Sequence, residues 1–213
     1  MISIKICGLS TPETIAAAVT AGADHIGFMF FARSPRHLDI GRAAALAALV
    51  PANVMKVGVF VDPEDAYLAE VHGAVGLDIV QVHAVTEPAR TAAIGARHKL
   101  PVWAAIGVAT SADVANGRRF QGAADRLLFD AKTPKGAGLP GGMGLRFDWR
   151  LLAAANDLGL PWGLAGGLDS GNVGEAIRAT GAALVDVSSG VEVEPGVKSV
   201  EKIMAFIKAV KAA

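Results

Sequence analysis

The sequence predicts an α/β fold, a (β/α)8 TIM barrel in which residues 1–213 form one domain, and three observations carry that expectation. Short β-branched runs alternate with Ala/Leu-rich amphipathic stretches along the whole chain, the pattern of a parallel sheet covered by helices. Eight such units can be counted. No Gly-x-Gly-x-x-Gly follows the first strand, which disfavours an open doubly wound sheet and leaves closure into a barrel. At 213 residues the chain falls below the about 250 residues usual for eight units, so short loops are expected. Hydrophobic residues make up 52% and charged residues 19%, enough apolar material for a sizeable core.

The first unit is a strand from Ser3 to Cys7, followed by Ser10-Thr11-Pro12-Glu13, where a hydroxyl caps a helix that Gly22 ends. A second strand is expected from His25 to Phe31, with a helix from Ile40 to Val50 closed by Pro51. Met55 to Val61 reads as the third strand, after which Asp62-Pro63-Glu64 restarts a helix. Strands four and five are expected at Ile79–Val82 and Val102–Ile106, with helices at Pro88–His98 and Ser111–Phe120. Leu127 to Asp130 gives strand six. The connection after it, Lys132 to Gly144, is Gly/Pro-rich and longer than the usual few residues, as a lid or binding loop would be. A helix then begins near Asp148, strand seven spans Trp162–Ala165 and a helix Asn172–Thr180. Strand eight is Leu184–Val187, and Ser199–Lys211 is the last helix.

Composition excludes several classes of partner. The 20 basic and 20 acidic residues cancel, so no overall field draws the protein to nucleic acid or to an anionic membrane. Any anionic ligand must be held by local groups. The single cysteine, Cys7, rules out an intramolecular disulfide and Cys-rich metal sites. The N-terminus lacks a basic segment followed by a long apolar one, and no later run approaches about 18 apolar residues. A cytoplasmic, unanchored protein is expected, either a monomer or a homodimer.

Barrels of this kind place their chemistry at the C-terminal ends of the strands. That filter selects Cys7, Arg36, His83, Asp130, Gly166-Gly167 and Ser188-Ser189-Gly190. The last two groups follow strands seven and eight, where backbone N–H groups often hold phosphate, and the serine hydroxyls would add donors. A small phosphorylated substrate is therefore expected. Arg36, in Ala32-Arg33-Ser34-Pro35-Arg36, can present a guanidinium over the mouth and grip a carboxylate with two hydrogen bonds. His83 has no partner at a metal-ligand spacing, so no metal is expected. A lone cysteine is commonly a packed core residue. For Cys7 to act as a base, its thiol should open to the mouth with a pKa at or below the ordinary ~8.5, and Lys5, two residues earlier on the same face, could supply the positive potential.

These blocks together resemble phosphoribosylanthranilate isomerases. The resemblance runs nearly end to end, through Lys5-Ile6-Cys7-Gly8, Ser34-Pro35-Arg36, Val57-Gly58-Val59-Phe60-Val61, Val80-Gln81-Val82-His83, Leu128-Phe129-Asp130-Ala131-Lys132, Gly141-Gly142-Met143-Gly144, Leu164-Ala165-Gly166-Gly167-Leu168 and Val185-Asp186-Val187-Ser188-Ser189-Gly190-Val191-Glu192. It implies a cofactor-free Amadori rearrangement of N-(5-phosphoribosyl)anthranilate in tryptophan biosynthesis. Asp130 would protonate the ribose ring oxygen as general acid, and Cys7 would take the C2 proton as general base. Arg36 would hold the anthranilate carboxylate, while Gly142, Gly144, Gly166, Gly167, Ser188, Ser189 and Gly190 would contact substrate, chiefly its phosphate. Two positions depart from the family pattern. Ala84 stands where Gly usually follows His83, and Met143 replaces the Thr or Ser of the Gly-Gly-x-Gly loop. The first should alter only backbone freedom; the second removes a hydroxyl near the phosphate. A metal-dependent sugar-phosphate epimerase is disfavoured because the strand ends lack the necessary His and Asp residues. A non-catalytic sugar-phosphate binder would not need both Cys7 and Asp130.

Overall fold

The computed structural model describes residues 2–134, 136 and 141–213. Eight parallel strands close in sequence order into a barrel: β1 (Ser3–Cys7), β2 (His25–Met29), β3 (Met55–Val61), β4 (Ile79–His83), β5 (Val102–Val108), β6 (Arg126–Ala131), β7 (Trp162–Leu164) and β8 (Leu184–Val187). The seam joins β1 to β8 in a register that sets Lys5 beside Asp186. Alternation along the strands splits the apolar residues in two. Val57, Val59, Leu128 and Leu184 pack inside the barrel with Cys7, whereas Ile4, Ile6, Phe60 and Phe129 face outward beneath the helices.

The helices are α1 (Pro12–Ala21), α2 (Ile40–Ala47), α3 (Asp65–Val75), α4 (Pro88–His98), α5 (Ser111–Ala115), α6 (Val173–Thr180) and α7 (Val200–Lys211). Thr11 caps α1 by accepting from the Thr14 N–H, and Gly22 ends it at φ 96°, a left-handed conformation suited to glycine. The helix expected over Ser111–Phe120 is in fact two pieces. After α5 the chain tightens into a 3-10 turn, Asn116–Phe120, in which buried Gly117 lies against Leu127 and Leu158. The segment expected to be helical from Asp148 is also 3-10, over Trp149–Leu158, with the Asp148 carboxylate accepting from the Arg150 N–H. Strand β2 stops at Met29 instead of Phe31, because the chain turns at Phe31–Ser34 to carry Arg36 back over the barrel.

One element has no counterpart in the sequence expectations. After β8 come a 3-10 turn, Ser189–Val191, and a small antiparallel hairpin, β9 (Glu192–Glu194) and β10 (Val197–Lys198). Its turn sits on the loop before Arg36, Gly196 lying close to the Pro35 carbonyl. Among the described residues no helix is long and apolar enough to cross a membrane.

Candidate active site

A cavity opens at the C-terminal mouth of the barrel. Of the ten residues expected at the site, nine line it: Cys7, Arg36, Asp130, Gly142, Gly144, Gly166, Gly167, Ser188 and Ser189. Gly190 does not. It lies against the turn after β7, so close that a Cβ there would fall 1.8 Å from the Leu168 carbonyl oxygen. Its contribution is to let the two turns nest. Within the long connection after β6, residues 135 and 137–140 lie outside the described residues.

Around the mouth the order is Asp130 at the end of β6, the two glycine-containing turns after β7 and β8, Cys7 at the end of β1, and Arg36 beyond β2. The two groups capable of proton transfer thus flank the turns. Asp130 accepts from the Ala131 N–H at 2.8 Å. Burial, reinforced by the Asp186 charge, pushes its pKa up to about 6 against the pull of its backbone hydrogen bonds and Lys5. Gly166, at φ 84°, leaves room for that carboxylate: a Cβ there would meet its Oδ1 at 2.8 Å.

Cys7 is 5% exposed, and its pKa does not follow the expectation of a lowered value. Burial pushes the thiol above its ordinary range, although the Lys5 and Lys198 ammonium groups pull it back. Lys5 is fully buried and ion-paired to both oxygens of Asp186 at 2.9 Å. Part of its potential is therefore spent on Asp186 rather than on the sulfur.

Arg36 also departs from expectation. It lines the mouth, but it is buried, and the fork expected to be free for two hydrogen bonds to a carboxylate is already occupied. Nε donates to Glu192 Oε1 at 2.7 Å and Nη2 to Glu192 Oε2 at 2.8 Å, while Nη2 also donates to the Gly142 carbonyl at 3.0 Å. Among the described residues Nη1 alone of its nitrogens makes no hydrogen bond. Ser188 likewise spends its hydroxyl within the protein, donating to the Cys7 carbonyl and accepting from Lys198. Its backbone N–H, rather than its side chain, is what it can offer an anion.

Several neighbours were not singled out from sequence. Gln81 lines the cavity; its Nε2 lies 2.9 Å from His83 Nε2, and its Oε1 has no partner among the described residues. Burial and the Lys5 charge lower the His83 pKa to about 4, so the imidazole is neutral and its Nε2 accepts from the amide. Asp186, Glu192 and Lys198 complete the polar interior. For Gln81 and Asp186 a signal existed, since each falls, like Lys5, on the inward-facing parity of a strand; nothing in the local sequence points from Arg36 to Glu192.

A model of the family described as N-(5'-phosphoribosyl)anthranilate (PRA) isomerase matches residues 4–209. An N-(5'-phosphoribosyl)anthranilate isomerase of Paracoccus denitrificans is 55% identical over 206 residues, spanning 97% of this chain and 95% of that protein. The crystal structure of phosphoribosyl anthranilate isomerase from Thermotoga maritima superposes with a TM-score of 0.90 at 34% identity over the full length of both chains. A crystal structure of a phosphoribosyl anthranilate isomerase in complex with reduced 1-(o-carboxyphenylamino)-1-deoxyribulose 5-phosphate gives a TM-score of 0.87 at 31% identity, again over the full length of both.

Proposed function

Because the chain belongs to the N-(5'-phosphoribosyl)anthranilate isomerase family, which works in tryptophan biosynthesis, we propose that it performs the rearrangement of that substrate with Asp130 as general acid and Cys7 as general base. The observation that carries the reading is the meeting of both groups in one cavity, on either side of the turns after β7 and β8, with the Arg36 guanidinium beyond Cys7.

The backbone N–H groups of the turns containing Gly166, Gly167, Ser188 and Ser189 hold the phosphate, and Gly142 and Gly144 close over the substrate. Arg36 meets the anthranilate carboxylate through Nη1. The sugar then lies between the acid and the base. Asp130 gives its proton to the ring oxygen, which opens the ring to an iminium ion. Cys7 takes the C2 proton, and the resulting enolamine tautomerises to the ketone. The proton gained from Asp130 balances the one lost to Cys7, so the composition of the substrate is unchanged, as an isomerisation requires.

Acid and base have the inverse of the usual order, since Asp130 titrates at about 6 and Cys7 above the ordinary thiol range. The reactive form, protonated Asp130 with thiolate Cys7, is a minority at every pH. Below pH 6 that minority grows with pH as thiolate forms. Between the two pKa values thiolate gain and Asp130 proton loss cancel. Above the thiol pKa the minority shrinks. Purified protein should therefore consume phosphoribosylanthranilate, followed as loss of its fluorescence, with a kcat/KM plateau that breaks at about pH 6 and again on the alkaline side of the ordinary thiol range. No turnover would overturn the function; a profile that peaks sharply near pH 7 would overturn the pairing of roles.

A further inference from the structure

A chain of buried charges lies directly behind the cavity wall. Glu192 takes both Nε and Nη2 of Arg36, and on the same Oε1 it takes the Lys198 ammonium at 2.7 Å. Lys198 also donates to the Ser188 carbonyl at 2.9 Å and to its hydroxyl at 3.1 Å. The side chains of Arg36, Glu192 and Lys198 are 4%, 5% and 1% exposed. Neither Glu192 nor Lys198 is among the residues that line the cavity.

The charges explain why two cations share one carboxylate. An arginine paired with a buried glutamate alone is a neutral unit, held rigid but with little attraction left for a second carboxylate. Adding Lys198 behind Glu192 restores one net positive charge, and the bidentate grip fixes where it is presented. With Nε and Nη2 spent on Glu192 and Gly142, Nη1 is the guanidinium nitrogen left, among the described residues, to offer that charge to a ligand. The hairpin β9–β10 exists in the right place to do this, because its first residue is Glu192, its last is Lys198, and its turn rests on the loop that carries Arg36.

We propose that Glu192 and Lys198 are positioning residues for substrate recognition: Glu192 fixes the Arg36 fork, and Lys198 offsets Glu192 so that the cluster keeps the net charge that selects a carboxylate-bearing aryl group. The proposal rests on the reading of Arg36 as the group that meets the anthranilate carboxylate. The loss of Lys198 should weaken ligands with that carboxylate and spare those without it.

Two reduced product analogues separate the effects: reduced 1-(o-carboxyphenylamino)-1-deoxyribulose 5-phosphate and its phenylamino counterpart without the carboxylate. Their affinity ratio isolates the carboxylate, because phosphate and sugar are common to both. Lys198→Met should lower the ratio about tenfold, leave the phenylamino analogue within about twofold, and raise KM more than it lowers kcat. Lys198→Arg should restore the ratio. A ratio unchanged in Lys198→Met, or equal weakening of both analogues, would overturn the proposal and place Lys198 in support of the Ser188 turn alone. Arg36→Met tests the underlying reading separately. If it leaves the ratio intact, Arg36 does not read the carboxylate and both ideas fall; if it collapses the ratio while Lys198→Met does not, only the role of Lys198 falls.

The unmodified protein gives a measurement that depends on no variant folding. Burial, and beyond it Arg36, lower the Lys198 pKa to about 8 despite the opposing pull of Glu192 and Cys7. The Cys7 thiol, raised above its ordinary range, stays largely protonated up to pH 8.5, so between pH 7 and 8.5 the ratio reports Lys198. It should fall as pH rises through about 8. A ratio flat to pH 8.5 would overturn the proposal.

Discussion

At the scale of single residues, Asp130 shows a group whose environment serves reactivity at the expense of stability. Its pKa rises from an ordinary value of 3.8 to about 6 in the folded protein. The native state therefore binds its proton more tightly than the unfolded chain does. Well below pH 3.8 both states hold it and nothing is lost; the penalty builds as pH rises from about 4 to 6 and stands at about 2–3 kcal/mol above that. Asp130→Asn should abolish turnover and yet raise stability by about 2 kcal/mol at pH 7.5, with most of the gain gone at pH 4. Denaturant titration at the two pH values checks this, and an unchanged stability at pH 7.5 would mean that the carboxylate is well solvated. Ala84 makes a different point. The family resemblance leads one to expect glycine at this position, and the structure finds the alanine at φ 59°, the left-handed region where a Cβ is strained. Ala84→Gly should stabilise the fold by about 1 kcal/mol, seen as a rise of about 2–4 °C in Tm.

At the scale of elements, the two turns after β7 and β8 act as one unit because Gly190 nests on Leu168. Gly190→Ala should drive them apart, costing about 1–3 kcal/mol and raising KM through weaker phosphate binding; wild-type affinity for the phosphorylated product would show that the turns are independent. The eight strands were legible in the sequence, and β1, β3 and β8 have the bounds expected from their apolar runs and flanking turn residues. Hydrophobic periodicity is a local signal, and these strands are locally determined. The hairpin was not legible: its strands have three and two residues, too short for a period, and Glu192, Val193 and Glu194 lack the apolar weight of a core strand. The 3-10 stretches were read as α-helix because apolar residues spaced i, i+3 fit either helix type. Cys7, Asp130 and the turns of the candidate site were found because strand ends are predictable. The occupied fork of Arg36 was not, because its partner lies 156 residues away.

At the scale of the whole molecule, the barrel is sealed by a buried ion pair between its first and last strands. Asp186→Asn would leave Lys5 charged and unpartnered in the interior, and breaking such a pair costs about 3–5 kcal/mol. Unfolding should show that loss, eased by raising the pH enough to deprotonate Lys5; a variant as stable as the wild type at pH 7 would mean that water reaches the ammonium. The same pair has a consequence for synthesis. Lys5 leaves the ribosome 181 residues before its counter-charge, a delay of roughly 10–35 s at about 5–20 residues per second. Throughout that interval β1 gains nothing by entering an apolar interior, because its lysine would go in uncompensated. Premature barrels of six or seven strands are thereby penalised, and a chain truncated before β8 should remain open and vulnerable to proteases. The residue that helps tune Cys7 thus also acts as a timer, holding back closure until the strand that completes the ring has been made.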